Sequence, residues 1–303
     1  MAAGTSTFRG AGTSYKGSIQ STIQANVDSY SPSMRRIADV ILARPQVVLE
    51  NTITELARAC DTSETSVVRF CRTLGFPGFA PMKLQLAVEL ATESAQFGFD
   101  AEHGSDIRPS DSLSEMVWKV ASAETLGIQE TAERLDLEAL QQVIGRVDRA
   151  GKALLYGVGA SNASAQDLAE KLLRIGTTAI GFQDAHSAVV SAALATSEDV
   201  AIAFSHSGRT RETVAFLRAA QERGCFTVAI TNMSRSPLAQ TADQVLSTAV
   251  RETTFRSGAM ASRIAQLTLV DYLFVGVAQG RYEKSVEALK HTYESLGALR
   301  DDR

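Results

Sequence analysis

At 303 residues the chain is long enough for two ordinary domains, each able to bury its own core. The hydrophobic fraction of 45% and charged fraction of 21% are those of a globular protein, and no run approaches about 18 uninterrupted apolar residues, so no membrane partner is expected. A net charge of −4 argues against a chain that coats nucleic acid indiscriminately. Any DNA contact must come from a local surface.

Met1 to Gln24 is rich in Ser, Thr, Gly and Ala, contains no acidic residue and lacks the apolar centre of a secretory signal. It predicts a flexible tail, with the first domain spanning 28–96 after a tail of 1–27. Cys60, Cys71 and Cys225 fit neither a disulfide framework nor a zinc spacing, and read as reduced thiols of a cytoplasmic protein that pack as small hydrophobes. No metal and no cofactor is expected.

From Ser31 to about Ala95 the apolar spacing is helical. Ile37, Val40, Ile41 and Val48 mark a first element broken by Pro45, Ile53 to Cys60 a second, and Ser63 to Leu74 a third that Gly75 ends. A fourth follows Pro77-Gly78 and carries Leu84, Leu86, Val88 and Leu90. Ile53 to Leu74 has helix-turn-helix logic: Ile53, Leu56 and Ala57 face inward, Ser63 caps the next helix, and Val67, Phe70 and Leu74 bury its inner face. Glu64, Thr65, Ser66, Arg69 and Arg72 are left for the exposed side, where a recognition helix meets bases and phosphates. A helical hairpin with no DNA role would show the same pattern, and charge does not decide. Between Asp28 and Leu90, seven basic residues (Arg35, Arg36, Arg44, Arg58, Arg69, Arg72, Lys83) meet seven acidic ones (Asp28, Asp39, Glu50, Glu55, Asp61, Glu64, Glu89).

Ser33-Met-Arg-Arg-Ile-Ala-Asp-Val-Ile-Leu, Ile53-Thr-Glu-Leu-Ala and Thr65-Ser-Val-Val-Arg-Phe-Cys-Arg-Thr-Leu-Gly-Phe-Pro-Gly-Phe resemble the DNA-binding domain of RpiR-type regulators. Arg-Phe-Cys-Arg with Leu-Gly-Phe is the most specific part. The turn position commonly occupied by Gly in that family is Asp61 here, a residue that tolerates left-handed backbone better than most.

Residues 97–112, rich in Gly, Asp, His, Pro and Ser, read as a linker, and the second domain spans 113–303. Helical periodicity returns from Leu113 to Val147, with a break at Asp136. Short apolar runs then alternate with helix-length stretches: Ala153 to Tyr156, Thr178 to Phe182, Val200 to Phe204, Thr227 to Thr231 and Gln244 to Ser247. That alternation predicts βαβ units and a parallel sheet covered on both faces. Helices over about Ser257 to Gln279 and Tyr282 to Leu299 close the chain. The expected architecture is an all-α helix-turn-helix domain followed by an α/β three-layer parallel-sheet domain.

Two turns in this half carry chemistry. Leu154-Leu-Tyr-Gly-Val-Gly-Ala-Ser-Asn162 is a strand, a Gly-rich turn and a helix start, but the further Gly of a dinucleotide fingerprint is replaced by Asn162. Val200-Ala-Ile-Ala-Phe-Ser-His-Ser-Gly-Arg-Thr210 places three hydroxyls, Ser205, Ser207 and Thr210, around Gly208 at a helix start whose dipole favours negative charge. Hydroxyls and amides without a P-loop lysine suit a phosphate monoester, although such a turn can also serve only to cap its helix.

With Lys171-Leu-Leu-Arg-Ile-Gly, Ile230-Thr-Asn and Ser236-Pro-Leu-Ala, these stretches resemble a SIS (sugar isomerase) domain over roughly Leu137 to Gln279. The resemblance implies that Ser161, Asn162, Ser205, Ser207, Gly208 and Thr210 line a phosphate site. It also makes Ser257 to Leu267 the region that closes the sugar pocket, with Arg263 either structural or ligand-facing.

Such domains serve isomerases as well as regulators. Aldose–ketose isomerisation needs a base, and His186, His206, Glu212 and Glu252 are candidates, but none comes in a recognisable catalytic setting. The expectation is a sensor, not an enzyme: a sugar-phosphate effector modulates operator binding. One helix-turn-helix covers too little DNA for tight specificity, so a homodimer or homotetramer on a palindromic operator is expected. The competing reading is a sugar-phosphate isomerase or lyase with a helical appendage.

Overall fold

The structure is a computed structural model that describes residues 18–97, 107–250 and 259–297. Six helices build the amino-terminal half: α1 (Ile19–Asn26), α2 (Pro32–Ala43), α3 (Gln46–Glu50), α4 (Ile53–Ala59), α5 (Glu64–Thr73) and α6 (Phe79–Phe97), with a 3₁₀ turn over Val27–Ser29. Pro45 separates α2 from α3, as its missing N–H requires. The core gathers Ile37, Ile41, Leu56, Val67, Phe70, Met82 and Leu86, all fully buried, and Tyr30 meets Phe70 edge to face at 5.3 Å. Burying one such side chain is worth roughly 1.5–3 kcal/mol.

The stretch from Ser18 to residue 27, expected to belong to a tail, is instead helical and packed. Ser18 caps α1 by accepting a hydrogen bond from the Ser21 amide, and Ile19 and Ile23 are wholly buried in the helical core. The Ile19 amide donates to Glu89 Oε2 on α6 at 2.9 Å. Residues 1–17 lie outside the described residues, as do 98–106 of the expected linker.

The second half begins with α7 (Leu113–Arg134), started by a Ser112–Glu115 capping box, and α8 (Leu137–Arg149), capped by Asp136. Just before α7, Asp111 accepts from Lys119 Nζ at 2.7 and 2.9 Å, an ion pair that is almost fully buried. Five strands follow: β1 (Ala153–Gly157), β2 (Ala179–Gly181), β3 (Val200–Phe204), β4 (Phe226–Thr231) and β5 (Gln244–Ser247). All pair in parallel in the order β2-β1-β3-β4-β5. The helices between and after them are α9 (Ala160–Arg174), α10 (Ala185–Ala192), α11 (Arg211–Gln221), α12 (Pro237–Thr241), α13 (Met260–Gly280) and α14 (Tyr282–Gly297).

Strand alternation divides the core into two layers. Leu155, Ile202, Phe204, Val228 and Ile230 face α8, α9 and α13. Tyr156, Ala201, Ala203 and Ala229 face α10, α11 and α12, where Phe216 lies edge to face on Tyr156 at 5.6 Å. Among the described residues, one helix, Met260–Gly280, is long and apolar enough to cross a membrane. It packs against α7, α8 and α9 and gives Leu269, Val270, Leu273 and Val277 to the core. The three expected layers are present. The expected strand from Thr178 to Phe182 is trimmed to a short edge strand, and Leu299 and Ser257 fall outside the described residues.

Candidate phosphate site and nucleic-acid interface

The strand order reverses between β1 and β3, so the loops after these two strands flank one crevice at their carboxyl ends. The loop after β1 turns sharply. A Cβ on Gly157 would lie 2.6 Å from the Ser161 carbonyl oxygen, so only glycine lets the strand pass beneath the start of α9. Ser161 Oγ accepts from Gln266 Nε2 on α13 at 3.1 Å, and Gln266 is buried. Asn162 is engaged elsewhere: its Nδ2 donates to the Phe182 carbonyl at 3.0 Å, and its Oδ1 accepts from Gln166 Nε2 at 2.9 Å. Its side chain ties α9 to the segment after β2.

The loop after β3 is held more tightly. Ser205 Oγ accepts from the Gly208 amide at 3.1 Å and lies 3.0 Å from Thr210 Oγ1, while Ser207 Oγ accepts from the Arg209 amide at 3.3 Å. The His206 carbonyl accepts from Thr231 Oγ1 at 3.1 Å and from the Asn232 amide at 3.1 Å, which binds the loop to the end of β4. Gly208 has φ +60°, and a Cβ there would fall 1.9 Å from Ser236 Oγ. The loop thus lies hard against the start of α12. Thr210 is the N-cap residue of α11 but makes no side-chain capping bond. Ser205, Ser207, Gly208 and Thr210 therefore cluster where orphan amides of α11 begin, an arrangement suited to an anion.

His186 and Glu212 are exposed in the first turns of α10 and α11, His206 belongs to the loop after β3, and Glu252 is outside the described residues. The carboxylates of Glu212 and Asp184 lie near the Tyr156 phenol, whose pKa is raised first by burial and then by these charges. Two hydrogen bonds from the Ser187 backbone and side chain hold Asp184 below the usual carboxylate range. Arg263 is exposed on α13. Among the described residues, no cluster of three or more His, Cys, Asp or Glu could hold a metal ion.

In the amino-terminal half, α4 and α5 form the expected pair. Thr52 and Glu55 make a reciprocal capping box on α4, and the Ser63 side chain accepts from the Ser66 amide at 3.2 Å. The turn between them places Asp61 at φ +47°, and Arg36 holds it by donating to the Cys60 and Asp61 carbonyls. Val67, Phe70 and Leu74 are buried; Glu64, Thr65, Arg69 and Arg72 are exposed, and Ser66 is partly so. Glu64 accepts from Thr54 Oγ1 at 2.6 Å, bracing the two helices. With Ala57, Arg58, Asp61 and Thr62, this pair lines a shallow hollow of about 380 Å³. Neither Arg58 in that hollow nor Gln266 behind Ser161 stands out in the sequence, although both lie within marked stretches, because nothing local shows that their side chains turn toward these places.

A helix-turn-helix domain joined to a three-layer SIS domain defines a DNA-binding transcriptional regulator with a sugar-isomerase-type domain. Residues 17–93 match the helix-turn-helix domain of the rpiR family, and residues 147–276 match the SIS domain. The chain belongs to the rpiR family. It is 39% identical over 278 residues, 92% of this chain and 96% of the relative, to an uncharacterized HTH-type transcriptional regulator of Caldanaerobacter subterraneus subsp. tengcongensis. The structure of the Vibrio vulnificus NanR protein complexed with ManNAc-6P matches with a TM-score of 0.59 and 31% identity, covering 93% of this chain and 99% of that one. The chain is also 35% identical to the bifunctional protein glk of Burkholderia thailandensis, over 86% of this chain and 40% of that longer protein.

Proposed function

We propose that this regulator acts in the cytoplasm as a phosphosugar sensor, its operator affinity set by a sugar phosphate bound in the crevice between the β1 and β3 loops. The observation that carries the reading is the hydroxyl cluster of Ser205, Ser207 and Thr210 around Gly208 at the start of α11. Ser161 faces the same crevice from the β1 side, and Asn162 positions that loop through Phe182. Glu64, Thr65, Ser66, Arg69 and Arg72 would meet a palindromic operator from paired copies in a homodimer or homotetramer. The ligand named for the NanR structure supports an N-acyl hexosamine 6-phosphate or another hexose phosphate as the class to test first.

His186 and Glu212 are exposed and neither comes in a recognisable catalytic setting, which favours binding over isomerisation, since a proton-moving base must stand within hydrogen-bond reach of the substrate. The decisive experiment is a gel shift on DNA from the protein's own locus, with and without hexose and amino-sugar phosphates. A sequence-specific shift that sugar phosphates alter is expected. A protein that ignores this DNA under every condition overturns the reading, and turnover of any of these sugars would restore the enzyme alternative.

A further inference from the structure

Arg209 sits inside the phosphate loop, yet its side chain points out of it. Its Nε and Nη2 lie 3.2 and 2.7 Å from Asp28 Oδ2, 181 residues away in the amino-terminal half. Asp28 belongs to the 3₁₀ turn that joins α1 to α2. The other end of α1 is held by α7: Arg134 donates to the Ser18 carbonyl at 2.5 Å and to Thr22 Oγ1, and Ser21 Oγ donates to the buried Glu130 carboxylate. Helix α1 is therefore a strap between the halves, fixed to α7 at its start and to the phosphate loop just past its end.

We propose that Arg209 is a latch: Asp28 and a phosphate in the loop compete for its guanidinium, so that a bound sugar phosphate loosens the strap and frees the DNA-binding half to move. This rests on the phosphosugar reading of the loop. The competition is physically even-handed. A guanidinium fork fits a carboxylate and a phosphate alike, and a phosphate monoester brings roughly −1.5 to −2 charges against the single charge of Asp28. Arg209 is 54% exposed, so exchanging partners requires little desolvation. Asp28 is not abandoned when Arg209 leaves, because Arg35 Nη1 stands 3.6 Å from its other oxygen. A switch with small costs on both sides is one that a ligand can throw.

Reciprocity supplies the test: whatever phosphate does to the latch, the latch does to phosphate affinity. Titration calorimetry would follow inorganic phosphate, glucose 6-phosphate and N-acetylmannosamine 6-phosphate binding to the full chain. For an ion pair this exposed, Asp28→Asn should tighten binding of a responding ligand by about two- to fivefold. In an Arg209→Gln background the same Asp28→Asn change should do nothing. Unchanged affinity in Asp28→Asn, or an equal gain with and without Arg209, overturns the latch while leaving the phosphosugar site standing. Failure of every one of these probes to bind wild type and Asp28→Asn alike overturns the site and the latch together.

Discussion

Arg36 on α2 holds the turn of the helix-turn-helix from outside, its Nε and Nη2 donating to the Asp61 carbonyl at 3.1 and 2.6 Å. The turn is the one described place where the amino-terminal half puts a non-glycine residue at positive φ, +47°. Arg36→Ala should lower the stability of that half by about 0.5–1.5 kcal/mol, the net value of the lost hydrogen bonds. Asp61→Val should cost about 1–2 kcal/mol, because a β-branched residue resists left-handed backbone, whereas Asp61→Gly should be tolerated. Thermal melts of the three variants check the order.

Arg69 is exposed on α5, while its neighbours Val67 and Phe70 are buried. Arg69→Ala is expected to abolish operator binding in a gel shift yet keep the thermal stabilisation given by a sugar phosphate. Wild-type operator affinity would remove Arg69 from the interface.

Ser205→Ala with Ser207→Ala strips two hydroxyls from the loop after β3, the proposed phosphate site, and adds no bulk. Operator binding should persist, and the response to sugar phosphates should vanish. If both are lost together, the pair supports folding, not ligand capture.

Two glycines separate crowding from backbone strain. Gly208→Ala forces a Cβ to within 1.9 Å of Ser236 Oγ, so the loop must shift and ligand-induced stabilisation should disappear. Gly224 also has positive φ, +74°, but faces open space, and Gly224→Ala should cost only the backbone term of about 1–2 kcal/mol with ligand response intact. Thermal shifts with and without a sugar phosphate measure both.

Burial pushes the Cys71 thiol up to about 11 and the Cys225 thiol up to about 12, the latter also raised by Asp199, and Cys60 moves in the same direction. At pH 8 all three are therefore neutral thiols inside the fold. Iodoacetamide should leave the native protein unmodified and label it three times after denaturation, as read by intact mass.

Most of the fold was legible because its signals are local. The cap at Ser63, the helix break at Asp136 and the five short apolar runs all act within a few residues. The left-handed turn at Asp61 was legible through the family resemblance, which marks a position commonly occupied by Gly. Helix α1 was not legible. It offers Ile19 and Ile23 in a polar stretch, and its order comes from Glu89, Glu130 and Arg134, all more than 60 residues distant. The candidate site divides in the same way. The hydroxyls of Ser205 to Thr210 declare themselves in sequence, but the Gln266 amide behind Ser161 and the Asp28 carboxylate against Arg209 are brought there only by tertiary packing. Asn162, which the resemblance puts among the ligand-binding residues, has a side chain bonded to Phe182 and Gln166, partners that nothing local announces.

Helix α13 covers one face of the sheet with Leu269, Val270, Leu273 and Val277, and it comes late in the chain. During synthesis, β1 to β5 must therefore wait on the ribosome with that face incompletely covered until residues past 277 emerge. Nascent chains stalled or cleaved before that point would present bare parallel strands to chaperones and proteases. The helix-turn-helix, complete in sequence by residue 97, would then be cut off from a finished SIS domain.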